Sequence, residues 1–292
     1  MAAMRREGVD AQVRATLDHI DHLPPLPEAM VSLWRIIDDP ETTLDELCRI
    51  VSSDPSLSMS LLRLVNSANF ALSRKITTVR ESVHFLGFGE VKNLSIAIVV
   101  KTGLLLRSPK SRSFDRLAFW RHCVGSAIAA QLLGRSLLPA SADEAFTAGL
   151  LADVGLIVLD RAVTEDLIKV VAVIAAQPWT MEEAERRIVG CTHADAGVWL
   201  GQRWGLSERL LVPMAHHPRA AEAPDHRETS ALVHLGRVIS LQENPFLPMR
   251  RPIDIDPAAL ELLGGKLTSL DLIRPEYRRE MDRVAALLDL RR

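Results

Sequence analysis

Residues 43–68 read Thr-Leu-Asp-Glu-Leu-Cys-Arg-Ile-Val-Ser-Ser-Asp-Pro-Ser-Leu-Ser-Met-Ser-Leu-Leu-Arg-Leu-Val-Asn-Ser-Ala. Thr43-x-x-Glu46 is a capping box, in which a hydroxyl and a carboxylate satisfy the first free amides of a helix. Behind it Leu44, Leu47, Cys48 and Val51 recur at i, i+3, i+4 and i+7, the period of one buried helical face. Asp54-Pro55 then caps and opens a second helix, since proline at the first helical position lacks only an amide that has no partner there. Leu57, Leu61, Leu64 and Val65 form its stripe. Asn66-Ser67 ends this apolar run and reads as a polar cap for buried backbone rather than a ligand contact. Two short, capped, amphipathic helices in succession point to an all-α chain.

The same punctuation continues outward. Residues 1–19 read as a polar, alanine-rich lead-in, and Leu23-Pro-Pro-Leu-Pro27 as an extended entry that no helix interior tolerates. Thr78-x-x-Glu81 opens a helix stopped by Gly87, and an apolar helix is predicted from about Glu90 to Leu106. Arg107 to Ser113 is short, basic and interrupted by Pro109, so the boundary falls there, between a helical subdomain at 20–106 and a second one at 113–292. In the second, helices are predicted through Trp120 and His122 to Leu133, and from a cap at Ser141 to the Asp153-Val-Gly155 turn. Further helices run from a cap at Thr180 toward His193, from His193 to Trp204, from Ser207 to His216-His217, and from Glu228 to Leu241. Residues 244–257, with their four prolines, read as irregular, followed by a final helix near Pro275.

Composition narrows the function classes. Apolar residues make up 48% of the chain and charged residues 25%, which suits a packed core and excludes wholesale disorder. A formal net charge of −2 advertises neither nucleic acid nor an anionic membrane as partner. The most apolar stretch, Leu94 to Leu106, is too short to span a bilayer and contains Lys101, and the N-terminus has no signal-peptide core. Cys48, Cys123 and Cys191 form no Cys-x-x-Cys and read as buried reduced thiols. A cytoplasmic protein is expected.

The chemistry gathers around Gly149-Leu-Leu-Ala-Asp-Val-Gly155. Asp153 offers a carboxylate, and His122, His193, His216 and His217 offer imidazoles, the donor types that hold zinc- or iron-like ions. Ala152, directly before Asp153, has no donor atom. Each histidine also has a plain structural reading: a core hydrogen bond for His122, a helix C-terminus for His216-His217, an exposed helix start for His193.

Several motifs, taken in order, resemble one known family. Leu23-Pro-Pro-Leu-Pro27, Asp54-Pro-x-Leu57, Leu61-Leu-Arg-Leu-Val-Asn-Ser-Ala68 and Phe85-Leu-Gly87 are similar to the N-terminal signature of HDOD domains, the HD-related output domains of bacterial signalling proteins. Phe119-Trp-Arg-His122, Ala145-Phe-x-Ala-Gly-Leu-Leu151, His193-x-x-x-Gly197 and His216-His217 extend the likeness over roughly residues 20–240. The resemblance implies an all-α, HD-like helical bundle with an N-terminal helical subdomain. Set against the HD metal pattern, His122 matches the first ligand and Asp153 the motif aspartate. His193, His216 and His217 match the extra histidines of the bimetallic HD-GYP relatives. Ala152 replaces the motif histidine, and Arg237, in His234-Leu-Gly-Arg237, replaces the last ligand aspartate. A guanidinium in the pocket opposes a metal ion directly, and Asp153 is expected to pair with it.

The expectation is therefore a non-catalytic regulatory module with no catalytic residue, cofactor or metal. It would act through protein partners in bacterial signalling, two-component or cyclic-dinucleotide proteins among them, or through a ligand-induced change of shape. The rival readings are a metal-dependent phosphohydrolase of nucleotides or cyclic dinucleotides, and a nucleotide sensor that uses the altered pocket.

Overall fold

A computed structural model describes residues 17, 28–37, 41–72, 74–105, 111–264 and 270–285. Every regular element among them is helical, and none of those helices is long and apolar enough to cross a membrane. The contacts divide the chain into two units, one of residues 24–108 with 271–292, the other of residues 1–23 with 109–270. The expected lead-in at 1–19 (Leu17 apart), the Leu23–Pro27 entry and most of the Arg107–Ser113 boundary lie outside the described residues.

In the smaller unit, α1 (Glu28–Ile37), α2 (Leu44–Ser53), α3 (Pro55–Val65) and α4 (Val79–Leu86) surround α5 (Phe88–Val100). Their apolar stripes are the ones the sequence spaces out: Leu47, Cys48 and Val51 on α2, and Leu57, Leu61, Leu64 and Val65 on α3, all buried. Side-chain caps mark the starts of α2, α3 and α4. Thr43 accepts from Glu46 N at 3.2 Å, Asp54 accepts from Ser56 N and Leu57 N, and Thr78 with Glu81 makes the full reciprocal box. Helix α5 is buried at each residue from Val91 to Val100 and gives way to a π turn at Lys101–Leu105, so the single helix expected to Leu106 is broken there. Asn66 is the cap the sequence suggests. Its side chain donates to Leu62 O and Ile76 O and accepts from Ile76 N, each within 2.8 Å.

The last helix, Arg274–Arg283, departs from the expected 113–292 subdomain and belongs with this smaller unit. Asn69 Nδ2 donates to Asp282 O at 2.8 Å, and the Arg283 guanidinium lies 4.8 Å from the centre of the Phe70 ring.

The larger unit is built on α6 (Arg116–Leu137), with α7 (Ala142–Leu151) and α13 (Arg227–Glu243) packed along it. Between them α8 (Gly155–Ala162), α9 (Thr164–Ala176), α10 (Met181–Ile188), α11 (His193–Arg203) and α12 (Glu208–His216) complete the bundle. Small residues set its spacing. A Cβ on Gly236 of α13 would stand 2.7 Å from Ala130 N on α6, and a Cβ on Gly155 would stand 1.8 Å from His193 O. Nothing but glycine fits at Gly155, and this contact draws the start of α8 onto the start of α11.

Ser141 does not cap α7 through its side chain. A 3₁₀ turn at Pro139–Ser141 delivers the chain into that helix instead. A short helix, α14 (Pro257–Leu262), capped by Asp256, follows the proline-rich stretch read as irregular. The three cysteines are buried and not joined in disulfides, as the sequence suggests.

Candidate functional site: a buried carboxylate held by a guanidinium and three histidines

Helices α6 and α13 are buried almost all round, yet both carry polar side chains on one face. His122 and Ser126 stand four apart on α6, and His234, Arg237 and Ser240 stand three apart on α13. Polar groups in such a place must find partners or cost the fold several kcal/mol, of order 1–3 for each group left unmet. They find them around Asp153, which follows α7 and is 1% exposed.

Arg237 Nε lies 3.0 Å from both Asp153 oxygens. His122 Nε2 is 2.9 Å from Oδ2, while His193 Nε2 and His217 Nε2 approach Oδ1 at 3.3 and 3.9 Å. Burial alone would raise the Asp153 carboxyl. The Arg237 guanidinium, then the His122 hydrogen bond, overcome it and hold the group well below the usual carboxylate range.

The partners also fix the protons. His217 Nδ1 faces Met214 O at 2.8 Å, and a carbonyl only accepts, so Nδ1 carries hydrogen. Burial depresses this imidazole to about 3, with Arg237 and His193 adding to it against the pull of Asp153, so Nε2 keeps a bare lone pair. His193 Nε2 stands 3.2 Å from that lone pair and must donate to it. His193 Nδ1, on the other side, meets the Glu185 carboxylate at 2.7 and 2.9 Å and must donate there as well. His193 is therefore an imidazolium. Burial opposes its charge, but Glu185 outweighs burial and raises it to about 9.

His122 is the contrasting case. Burial lowers it despite Asp153, leaving a neutral ring with its proton on Nε2. The Ser240 hydroxyl sits 3.1 Å from His122 Nδ1 and 2.8 Å from His122 O, two acceptors for one proton. Phe246 stacks on the imidazole, ring centres 4.8 Å apart. Around Asp153, the positive Arg237 and His193 thus face the negative Asp153 and Glu185. Glu182 of α10 joins them: burial would raise its carboxyl, but Arg237 and then His193 hold it below the usual range.

The structure brings together His122, Asp153, His193, His217 and Arg237 among the residues singled out in the sequence. Ala152, fully buried, ends α7 and contributes no donor. His216 is half-buried at the end of α12 and is not among the converging donors, because adjacent residues point different ways and His217 takes the inward one. Glu185 is the functional residue that the motifs do not reveal. It occupies the buried stripe of α10 with Met181 and Ala184, where an acidic side chain signals an inward partner.

The HDOD domain family matches residues 23–220 of the chain, so the chain belongs to the HDOD family. An uncharacterized protein of Treponema pallidum (strain Nichols) is 30% identical over 213 residues, 71% of this chain, and the match spans 40% of that relative's length. Among solved structures, an HDOD domain protein of unknown function from Geobacter sulfurreducens superposes with a TM-score of 0.81 at 22% identity, over 98% of this chain and 99% of that one. A Marinobacter aquaeolei VT8 protein named for a proposed signal-transduction role gives 0.79 at 20% identity, over 97% of this chain and 66% of that one. These structures share the fold.

The HD pattern raises the question of whether these residues suit a divalent ion. One donor atom each from Asp153, His193 and His217 lies within 4.8 Å of the others, a spacing a metal could bridge. Their bonds say otherwise. Both Asp153 oxygens take Arg237 Nε, and His193 carries hydrogen on both nitrogens, one directed at Glu185 and the other at the lone pair of His217. An ion would have to expel a guanidinium and deprotonate an imidazolium stabilised by its carboxylate. In this arrangement the residues do not fit a metal.

Proposed function

We propose that the chain is a non-catalytic regulatory module, cytoplasmic, in which protein-borne cations stand where metal-dependent relatives hold an ion. The observation that carries this reading is the Arg237 Nε contact to both oxygens of Asp153 at 3.0 Å. A hydrolytic HD site needs an electrophilic metal to generate hydroxide and to polarise a phosphoryl group. Here the carboxylate that would anchor such an ion is neutralised and almost wholly buried. On this reading the module acts by binding, through protein partners in bacterial signalling such as two-component or cyclic-dinucleotide proteins.

Elemental analysis of the purified protein, with turnover assays on nucleotides and cyclic dinucleotides in added manganese, tests this. Substoichiometric metal and no turnover sensitive to Asp153→Ala are expected. Stoichiometric zinc, iron or manganese, or phosphodiesterase activity abolished by Asp153→Ala, would establish the phosphohydrolase instead.

A further inference from the structure

Between α13 and α14 the chain runs from Asn244 to Asp256 with little backbone pairing of its own. Pro245, Pro248 and Pro252 remove donors along it. What seats this strap is a set of contacts to other elements. Phe246 stacks on His122 and lies edge-on to Phe119, ring centres 5.3 Å apart. Arg250 N donates to Ile174 O at 2.8 Å and Arg250 Nη1 to Ala176 O at 2.6 Å, closing the last turn of α9. Asp256 N donates to His234 Nε2 at 3.0 Å, and the same residue's carboxylate caps α14 through Ala258 N.

His234 joins the strap to the site. Its Nδ1 donates to His217 O at 2.9 Å while its Nε2 accepts from Asp256 N. A single neutral imidazole thus ties the peptide of His217, whose own ring touches His193, to the amide that begins α14. Two members of the buried network are in this way joined to the strap, His122 directly through Phe246 and His217 through His234.

We propose that the Asn244–Asp256 strap and α14 form the element through which the Asp153 network is read out, with His234 as the coupling residue. Any event that moves His217 or His122, such as loss of the Asp153–Arg237 pair, shifts the His217 carbonyl or the face under Phe246. The strap has few backbone hydrogen bonds of its own with which to resist, so it opens locally before the bundle does. This rests on reading the site as regulatory. It names which surface changes when the site changes.

Hydrogen exchange on the full chain tests it as a mutant cycle. Asp153→Asn should speed exchange in peptides covering 244–262 by about tenfold or more while α6 and α7 keep their protection. His234→Ala should speed the same peptides alone, and adding Asp153→Asn to His234→Ala should then change them clearly less than it changes the parent protein, the remainder passing through His122 and Phe246. If Asp153→Asn fails to fold, Arg237→Lys takes its place, and the reciprocal arm uses the intact network: Phe246→Leu should shift the imidazole nitrogen resonances of His122, and His234→Gln those of His217. Unchanged strap exchange, acceleration that persists undiminished in the His234→Ala background, or unmoved resonances in the reciprocal arm would each overturn the inference. Metal content and turnover are measured separately, so failure here leaves the non-catalytic reading standing.

Discussion

In the smaller unit one well-bonded polar side chain is the half-buried Asn66, and its partners are backbone groups of Leu62 and Ile76. In the larger unit it is Asp153, and its partners are the side chains of Arg237, His122 and His193. The first is neutral and local, no more than ten residues from what it bonds. The second is ionised and gathers groups from α6, α11, α12 and α13. A neutral cap gives up little if lost, because each of its bonds contributes about 0.5–1.5 kcal/mol net. A buried ion pair behaves differently: intact it gains the fold little, but broken it leaves a bare charge that costs several kcal/mol. The contrast separates a device for making helices from one able to respond to change.

The strongest way to break this comparison is to remove one charge. Arg237→Ala should destabilise the protein by about 3–5 kcal/mol, since Asp153 stays buried without its main counter-ion. Asp153→Ala combined with Arg237→Ala should recover part of that loss. Denaturant unfolding of the two single variants and the pair measures the coupling. Additive losses would mean that the two groups do not stabilise each other.

A second effect, spread over two histidines and so smaller, is the dependence of stability on pH. His193 sits at about 9 in the fold against an ordinary 6.5, so the stability it contributes is complete below 6.5 and fades as pH rises toward 9. His217 sits at about 3 against 6.5, so its contribution is present above 6.5 and fades as pH falls toward 3. Together they place a stability maximum near neutrality. Unfolding midpoints from pH 4 to 10 should show it, and Glu185→Gln should flatten the alkaline side by removing what raises His193. An unchanged alkaline limb in that variant would show that Glu185 does not set the His193 charge.

The same contrast explains what could be read in advance. The helices at 44–65 and 79–86 were legible because cap, stripe and stop all lie within a few residues of one another. The carboxylate, the histidines and the opposing arginine were legible because their succession along the chain follows a family pattern. Glu185 belongs to none of those motifs; its one local signal is its place on the apolar stripe with Met181 and Ala184, and its partner His193 is supplied only by the packing of α10. Residues 155–176 form two helices with no side-chain cap at either start, Val154 and Val163 standing where a hydroxyl or carboxylate would announce one. The last helix joins the first unit through Asn69 and Asp282, more than two hundred residues apart, a pairing that no local signal encodes.

On the neutral side of the comparison, Asn66→Ala should cost about 1–3 kcal/mol, because Ile76 N and Ile76 O lose their side-chain partner at a buried residue. Asn66→Asp sharpens the test. A carboxylate still accepts from Ile76 N but can no longer donate to Leu62 O or Ile76 O, and it adds repulsion against those two carbonyls. The aspartate should therefore be no better than the alanine, and worse at high pH than at low, where its protonated form donates again. Thermal unfolding of both variants at pH 4 and pH 8 measures this. Equal stability of Asn66→Asp and the parent protein at pH 8 would mean that the two donated bonds contribute nothing.

The smallest expected effect separates capping from burial altogether. Thr78 accepts from Glu81 N at 3.1 Å, and Glu81 returns bonds to Thr77 N and Thr78 N, on an exposed corner of the smaller unit. Those returned bonds, led by the one from Thr77 N and joined by Arg74, hold the Glu81 carboxyl at about 2. Thr78→Ala removes one half of the box and should cost about 1 kcal/mol; Thr78→Ser keeps the acceptor oxygen and should cost clearly less. Because water can replace the lost partner at this corner, neither change should reach the loss caused by Arg237→Ala, which leaves a buried carboxylate without its main counter-ion. Differential scanning calorimetry of the two variants beside Arg237→Ala makes the comparison directly. A Thr78→Ala loss as large as that of Arg237→Ala would show that burial is not what makes the Asp153 network costly to disturb.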